Sequence, residues 1–239
     1  MNRLRALWRR QMYYPGLLGL FINPFFIARR GLADAVRRNA PTLQGRLLDI
    51  GCGNQPYREL FGAVDYCGLD IDTEEARRRG VASHFYDGRT FPFADSCFDS
   101  ALCNQVLEHV FNPDEFLGET ARVLKPRAPI LFTMPFVWDE HEQPHDYARY
   151  SSFGLKALLE KNGFHILRHE RLSADCGVLF QLFNAYLFKI TLRWPRILRL
   201  AMTVSVMALV NILGVIAARI LPRNEDLYLD HVVLAERHS

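Results

Sequence analysis

The stretch LLDIGCGNQPY, residues 47–57, constrains the fold more than any other part of the sequence. An apolar run interrupted by one acid, Asp49, leads directly into Gly51, Cys52 and Gly53. Buried strands that turn into glycine loops are the ligand-holding corners of parallel α/β sheets. In such sheets ligands sit beyond the carboxyl ends of the strands, where the strand order reverses. Gly51 and Gly53 suit that place, because glycine lets backbone approach a ligand and accepts positive φ.

The surrounding pattern agrees. Strand-like runs occur at 46–50, 66–70, 83–86, 98–103, 129–134, 164–170 and 228–236, and helical patterns lie around 55–61, 74–79, 113–123 and 153–162. Alternation of this kind builds βαβ units. The helix over 153–162 has the sharpest ends. Ser151 or Ser152 caps it, Phe153, Leu155, Leu158 and Leu159 form one face, and Gly163 stops it. The last strand follows a long apolar stretch instead of a short crossover, so it is expected to enter the sheet antiparallel. The fold class is therefore α/β, a Rossmann-like, seven-stranded and mostly parallel sheet with its last strand antiparallel.

The ligand follows from the acids. Asp70 ends the second strand, 21 residues after Asp49. An acid at that distance is placed to accept hydrogen bonds from two ribose hydroxyls, so the ligand is a nucleoside derivative. The third glycine of a dinucleotide loop is absent, with Pro56 in its position, and there is no G-K-[ST]. Asp49 decides between the remaining ligands. A carboxylate about 6 Å from a pyrophosphate charge costs roughly 3 kcal/mol at an effective dielectric of about 20. The same acid attracts an ammonium or a sulfonium, so a cationic nucleoside suits the loop better than NAD.

LLDIGCGNQPY, followed by GLDID, FYDGRTFPFADSCFDSALCNQVLEHV and ETARVLKPRAPILFTMPF, resembles the class I S-adenosylmethionine-dependent methyltransferases of the broad small-molecule group. The resemblance covers about residues 44–170 and the last strand. It implies S-adenosyl-L-methionine as cofactor. By position, Asp49, Gly51, Cys52 and Gly53 would hold the amino-carboxypropyl part. Asp70 would hold the ribose with Ile71 against the adenine, Asp87 and Gly88 would meet the adenine amino group, and Asn104 and Gln105 would line the cofactor. Two positions depart from the pattern: Gln55 stands where a glycine is common, and KPGG reads KPRA. The wider string, with NPFFIARRGL, PFVWDEHEQPHDYARYSSF and NEDLYLDHVVLAE, resembles a bacterial subgroup that accompanies cell-surface polysaccharide or lipopolysaccharide assembly. That points to a saccharide or lipid-linked acceptor.

After the fifth strand, where the family places groups facing the acceptor, His145, Asp146, Tyr147 and Arg149 offer a base, an acid, a ring and a cation. Methyl transfer from a sulfonium is an in-line displacement that needs proximity and, for a hydroxyl acceptor, a base. His145 oriented by Asp146 is the expected catalytic pair, with Tyr147 and Arg149 on the substrate. HEQPH at 141–145 matches the zinc-protease string, but Pro144 removes the helix on which that motif depends. Glu108 and His109 could join His141 or His145 around an ion. Some relatives bind one through E-x-x-E-H, but Gln105 replaces the first acid, and no metal is expected. The competing functions are a catalytically silent scaffold that binds S-adenosylmethionine and an NAD or nucleotide-sugar enzyme.

With 239 residues, 49% hydrophobic and 23% charged, the chain can bury one α/β core with little left over. A net charge of +3 is too small to argue for nucleic acid. Five scattered cysteines without a C-x-x-C pair suggest reduced thiols and a cytoplasmic location. Two uncharged apolar segments stand out, 11–28 and 200–218. The first, broken by Pro15, Asn23 and Pro24 and flanked by arginines, is expected to lie in a membrane interface, or else to form a flap. The second is expected within a helical pair split near Trp194 and Pro195. This pair dips into one leaflet of the inner membrane from its cytoplasmic face or forms a homodimer interface. The organisation is thus an N-terminal anchor or flap over 1–40, a core over 41–172 and 226–239, and an apolar helical insertion over 173–225.

Overall fold

Leu47, Leu48 and Ile50 are fully buried, as both faces of a central parallel strand require. They lie on β1 (Arg46–Ile50), which pairs in parallel with β2 (Asp65–Ile71) on one side and β4 (Ser100–Asn104) on the other. The computed structural model describes residues 2–62 and 64–239, with backbone alone for 2–4. Met1, Ala63 and the Arg3 side chain lie outside the described residues. With β3 (His84–Tyr86), β5 (Pro129–Pro135), β6 (Phe164–Leu172) and β7 (Asp230–Arg237), the sheet runs in the order β3-β2-β1-β4-β5-β7-β6. The order reverses between β1 and β4, directly under the Gly51–Gly53 loop. The Arg127 N–H donates to the Arg237 carbonyl at 3.0 Å and the Arg237 N–H to that of Ala128 at 3.1 Å. The start of β5 thus faces the end of β7, and the last strand is antiparallel.

Between the strands lie α4 (Glu74–Arg79), α5 (Pro113–Val123) and α6 (Ser152–Lys161), and Leu117 and Val123 of α5 with Leu155 and Leu159 of α6 belong to the sheet's buried core. Ser151 caps α6, its Oγ accepting from the Gly154 N–H at 3.2 Å. Leu155 and Leu159, one turn apart, are buried, but Phe153 is 81% exposed. At 100° per residue, position 153 points away from 155 and 159, so it does not belong to the core face as expected. The helix expected over 55–61 is a single 3₁₀ turn, Arg58–Leu60.

By contact the chain forms two units, 35–136 with 140–170 and 231–239, and 1–34 with 137–139 and 171–230. The first is the sheet unit. The second is helical. Its N-terminal part holds α1 (Asn2–Tyr13), α2 (Gly19–Ile22) and the start of α3 (Phe26–Asn39). Its C-terminal part holds α7 (Gly177–Thr191), α8 (Arg196–Met202), a π-helical stretch (Thr203–Met207) and α9 (Ala208–Ile220). Helix α7 ends before Trp194 and α8 starts after Pro195, which is where the sequence placed the split.

Three buried amides tie the helical unit together. Gln181 Oε1 accepts from the Ile27 and Ala28 N–H groups, and its Nε2 donates to the Pro24 carbonyl. Asn211 Nδ2 donates to the Leu20 and Asn23 carbonyls at 3.0 and 2.9 Å. Asn184 donates to the Met207 carbonyl and to Asn211 Oδ1. These bonds satisfy the backbone groups that the prolines and short helices around 15–26 leave open. A Cβ on Gly214 would stand 2.8 Å from Phe180 Cβ, so α7 and α9 approach closely only because that side chain is absent.

Candidate active site

The loop after β1 is held in an unusual backbone. Gly51, Gly53 and Gln55 all have positive φ, at 65°, 50° and 48°. At Gly51 no other residue fits, because a Cβ there would lie 2.5 Å from Val106 Cγ2. The Cys52 N–H donates to the Leu69 carbonyl at 3.0 Å and the Gln55 N–H to that of Cys52 at 2.7 Å. Gln55 holds its left-handed position with its own amide, donating to the Val81 carbonyl at 3.0 Å. Both departures from the family pattern, Gln55 and Arg127 (φ 62°), are non-glycine residues in conformations that glycine adopts at little cost.

Asp49 is buried in β1, opposite Gly68 of β2 and Leu102 of β4. The Tyr66 hydroxyl donates to its Oδ2. Burial pushes the Asp49 carboxyl up, the Tyr66 bond lowers it and the Asp70 charge raises it, leaving it at about 7. Asp70 is also buried and raised by that burial. The Ile71 N–H at 2.9 Å, Arg79 at 3.1 Å and the Gly53 N–H counter the rise. The bond from Gly53 ties the glycine loop to the second acid. Burial also raises the Cys52 thiol, to about 12, so Cys52 is a packing residue and not a nucleophile.

Further around the rim, Ile71 is half exposed and Gly88 lies against it, a Cβ on Gly88 falling 3.8 Å from Ile71 Cδ1. Asp87 is exposed, and its Oδ1 accepts from the Arg89 and Thr90 N–H groups at 2.9 and 3.0 Å. On the far side of the switch point, Asn104 Oδ1 accepts from the Thr133 hydroxyl at 2.8 Å. The Gln105 N–H donates to the Thr133 carbonyl with φ at 56°.

The acceptor loop differs from expectation. The Tyr147 and Ala148 N–H groups donate to the Glu108 carbonyl at 2.8 and 3.2 Å, pinning the loop to the 3₁₀ turn Leu107–His109. HEQPH is irregular, as Pro144 requires. Asp146 does not orient His145. Its carboxylate accepts two bonds from Arg149 at 2.6 and 2.8 Å and one from the His141 N–H at 3.0 Å. Burial pushes Asp146 up, but Arg149 and His141 bring it down to about 2. His145 is exposed and its Nδ1 meets the Tyr147 hydroxyl at 3.0 Å, so the expected His145–Asp146 pair becomes a His145–Tyr147 pair beside an Asp146–Arg149 pair. A bidentate guanidinium outcompetes a neutral imidazole for a carboxylate. Burial lowers His109, keeping its ring neutral.

Sequence reasoning missed Tyr66, Arg79, Val106 and Thr133. Val106 and Thr133 lie inside the quoted strings, Tyr66 and Arg79 outside them, and what each side chain touches is set by the fold. Only Tyr66 carried a signal, a phenol one strand away from a buried acid.

The residues present fit a cationic nucleoside. One buried acid sits beside the glycine loop, a second ends the next strand, and a small apolar rim adjoins it. Residues 48–132 match a family model described as a methyltransferase domain. Among curated proteins, the chain is 36% identical over 101 residues to an uncharacterized protein of Methanocaldococcus jannaschii, covering 41% of this chain and 47% of that one. It is 33% identical over 100 residues to the fatty-acid O-methyltransferase of Mycolicibacterium smegmatis, covering 37% and 36%. The matches thus span about half or less of those relatives' length. Among solved structures, the cyclase SpnF superposes with a TM-score of 0.58 at 22% identity, covering 88% of this chain and 82% of that one. A S-adenosylmethionine-dependent methyltransferase of Archaeoglobus fulgidus superposes with 0.56 at 19%, covering 93% and 100%. At these identities the structures establish the fold.

Proposed function

We propose, from the premise that residues 48–132 are a class I S-adenosylmethionine-dependent methyltransferase domain with that nucleoside as its cofactor, that the chain transfers a methyl group to a saccharide or lipid-linked acceptor at a membrane surface. The observation that carries the reading is the pair of buried acids, Asp49 and Asp70, joined through the Gly51–Gly53 loop at the reversal of strand order. The bound sulfonium supplies an activated methyl group. The residues of the chain do the rest. Asp49 meets the ammonium, Asp70 the ribose diol, and Ile71 with Gly88 the adenine face. Asn104 and Gln105 border the side from which an acceptor approaches.

The membrane part of the reading is supported by the helical unit. Arg196–Ile220 is a continuous helical stretch of 25 residues, apolar enough to cross a bilayer, with one third of its most apolar window buried. Leu179, Phe183, Tyr186 and Ile190 on α7 and Leu209, Leu213, Ile216 and Ile220 on α9 are exposed. β6 and β7, before and after these helices, both belong to the one sheet, so a single crossing would tear the sheet apart. The helices therefore lie in one leaflet on the cytoplasmic face, or pair with a second copy. The N-terminal segment contributes Leu17, Leu18 and Phe21 to the exposed surface, while Phe26 and Ala28 are buried within the unit.

A second reading is favoured by one observation. With Asp146 engaged by Arg149, His145 lacks the carboxylate that would make it a strong base, which suits a scaffold that binds the cofactor without methylating. Calorimetric titration with S-adenosylmethionine and with NAD tests the cofactor. Transfer of labelled methyl to glycan and lipid extracts separates the two readings, since the scaffold transfers none.

A further inference from the structure

Three ligand-bearing side chains converge beside the cofactor edge. Glu108 and His109 come from the 3₁₀ turn three residues beyond Gln105, and His141 comes from the loop pinned onto that turn. Their ligand atoms all lie within 4.8 Å of one another. Glu108 Oε1 is 3.8 Å from His109 Nε2, and the two imidazoles meet edge to face with centroids 4.8 Å apart. Against the expectation drawn from Gln105, we propose that Glu108, His109 and His141 bind one divalent first-row cation of the zinc, manganese or cobalt kind.

The groups behind the histidine rings support the site. His109 Nδ1 lies 2.6 Å from the His145 carbonyl, which can only accept, so Nδ1 carries the proton and the lone pair is on Nε2, the atom that faces Glu108. His141 Nδ1 lies 3.4 Å from Asp146 Oδ2. Ligating histidines characteristically give their other ring nitrogen to a backbone carbonyl or a carboxylate, which fixes the tautomer and the ring orientation. Here His109 has the carbonyl, while His141 Nδ1 stands 3.4 Å from Asp146 Oδ2 and 3.4 Å from Arg149 Nη2. Two imidazoles and one carboxylate form a borderline set that suits zinc and its neighbours better than magnesium or calcium. Donors about 2.1 Å from a shared ion stand roughly 3.0–3.5 Å apart. The Glu108–His109 pair, at 3.8 Å, is near that separation, and all three ligand atoms lie within 4.8 Å of one another.

Three protein ligands leave coordination positions open. Resting on the methyl-transfer reading, these positions take oxygens of the acceptor. They would lower the pKa of a coordinated hydroxyl, in a place where His145 lacks a carboxylate partner.

The test uses the full chain treated with chelator and dialysed. Cobalt(II) and zinc(II) are titrated calorimetrically into the parent, His141→Ala and Glu108→Gln, and S-adenosylmethionine is titrated into each as a check on folding and on the cofactor reading. The expected result is one ion per chain in the parent and at least tenfold weaker binding in His141→Ala, with cofactor affinity within twofold of the parent. Absence of metal binding in the parent, or parental affinity in His141→Ala, overturns the site. Loss of cofactor binding in the parent would instead strike the methyltransferase reading and leave the metal titration to stand by itself.

Discussion

Acidifying the solution from pH 7.5 to 5.5 should weaken S-adenosylmethionine binding through Asp49. Burial holds this carboxyl at about 7 in the free protein, while the ammonium of the bound cofactor needs it ionised. If it is ionised throughout the complex, the apparent dissociation constant scales as 1 + 10^(pKa − pH). That factor is about 33 at pH 5.5 and about 1.3 at pH 7.5, a ratio of about 25, or roughly 2 kcal/mol. The window lies below the range in which the ligand's own α-amino group loses its proton. Asp49→Asn should bind more weakly at pH 7.5, by about 1.5–3 kcal/mol for the lost charged acceptor, and with a flat pH profile. Folding gives an independent check. A raised carboxyl keeps its proton in the folded chain after the unfolded chain has released it near 3.8. The folded state then binds more protons, and stability falls as pH rises from about 4 to about 7, by about 4 kcal/mol for three pKa units. In Asp49→Asn that fall should disappear. Calorimetric titration and urea denaturation at several pH values measure both. A parent profile that is flat between pH 5.5 and 7.5, or a variant that keeps the parent's slope, would refute the placement of Asp49 at the cofactor ammonium.

Other expectations follow from the same geometry. Asp70→Ala removes the charged acceptor that ties Gly53 to the second strand. It should weaken cofactor binding by about 1.5–3 kcal/mol in the same titration. Gly51→Ala places a Cβ against Val106 at a positive φ and should lower stability by about 2–4 kcal/mol, read in urea; parental stability would show that the loop relaxes freely. Arg149→Met frees the Asp146 carboxylate, whose pKa should climb from about 2 toward the ordinary range; carboxyl NMR detects this, and an unchanged value would mean that Arg149 is not its main partner. Phe183→Asp and Ile216→Asp change exposed side chains, and each should cut flotation with anionic liposomes about tenfold or more. Parental flotation by both would refute lipid contact. Deleting residues 1–28 is the poorer test, because Asn211 and Gln181 would lose the backbone groups they satisfy.

The sheet, its glycine loop and its two acids were legible along the chain. Those features are local. An apolar run of β-formers must be buried, a glycine pair must turn, and an acid at a strand end must point toward the loop that follows. Helix punctuation was legible for the same reason, in Ser151 before α6 and Pro195 before α8. Contacts between elements distant along the chain were not legible, because they depend on how those elements pack. Spacing puts Asp146 beside His145, but the loop's anchorage on the Glu108 carbonyl turns Asp146 toward Arg149 and His141, so the expected pair does not form. The sequence left either His141 or His145 to join Glu108 and His109, and the same anchorage brings His141 to them. Tyr66 on Asp49 and Arg79 on Asp70 are likewise products of register and helix placement. The stretch 200–218 carries no charge to mark one face from another. Packing gave it a buried stripe through Thr203, Met207, Asn211 and Gly214, and an exposed one through Leu209, Leu213 and Ile216. Composition sets how much apolar surface a helix has, but the partner helix decides which part of it stays uncovered.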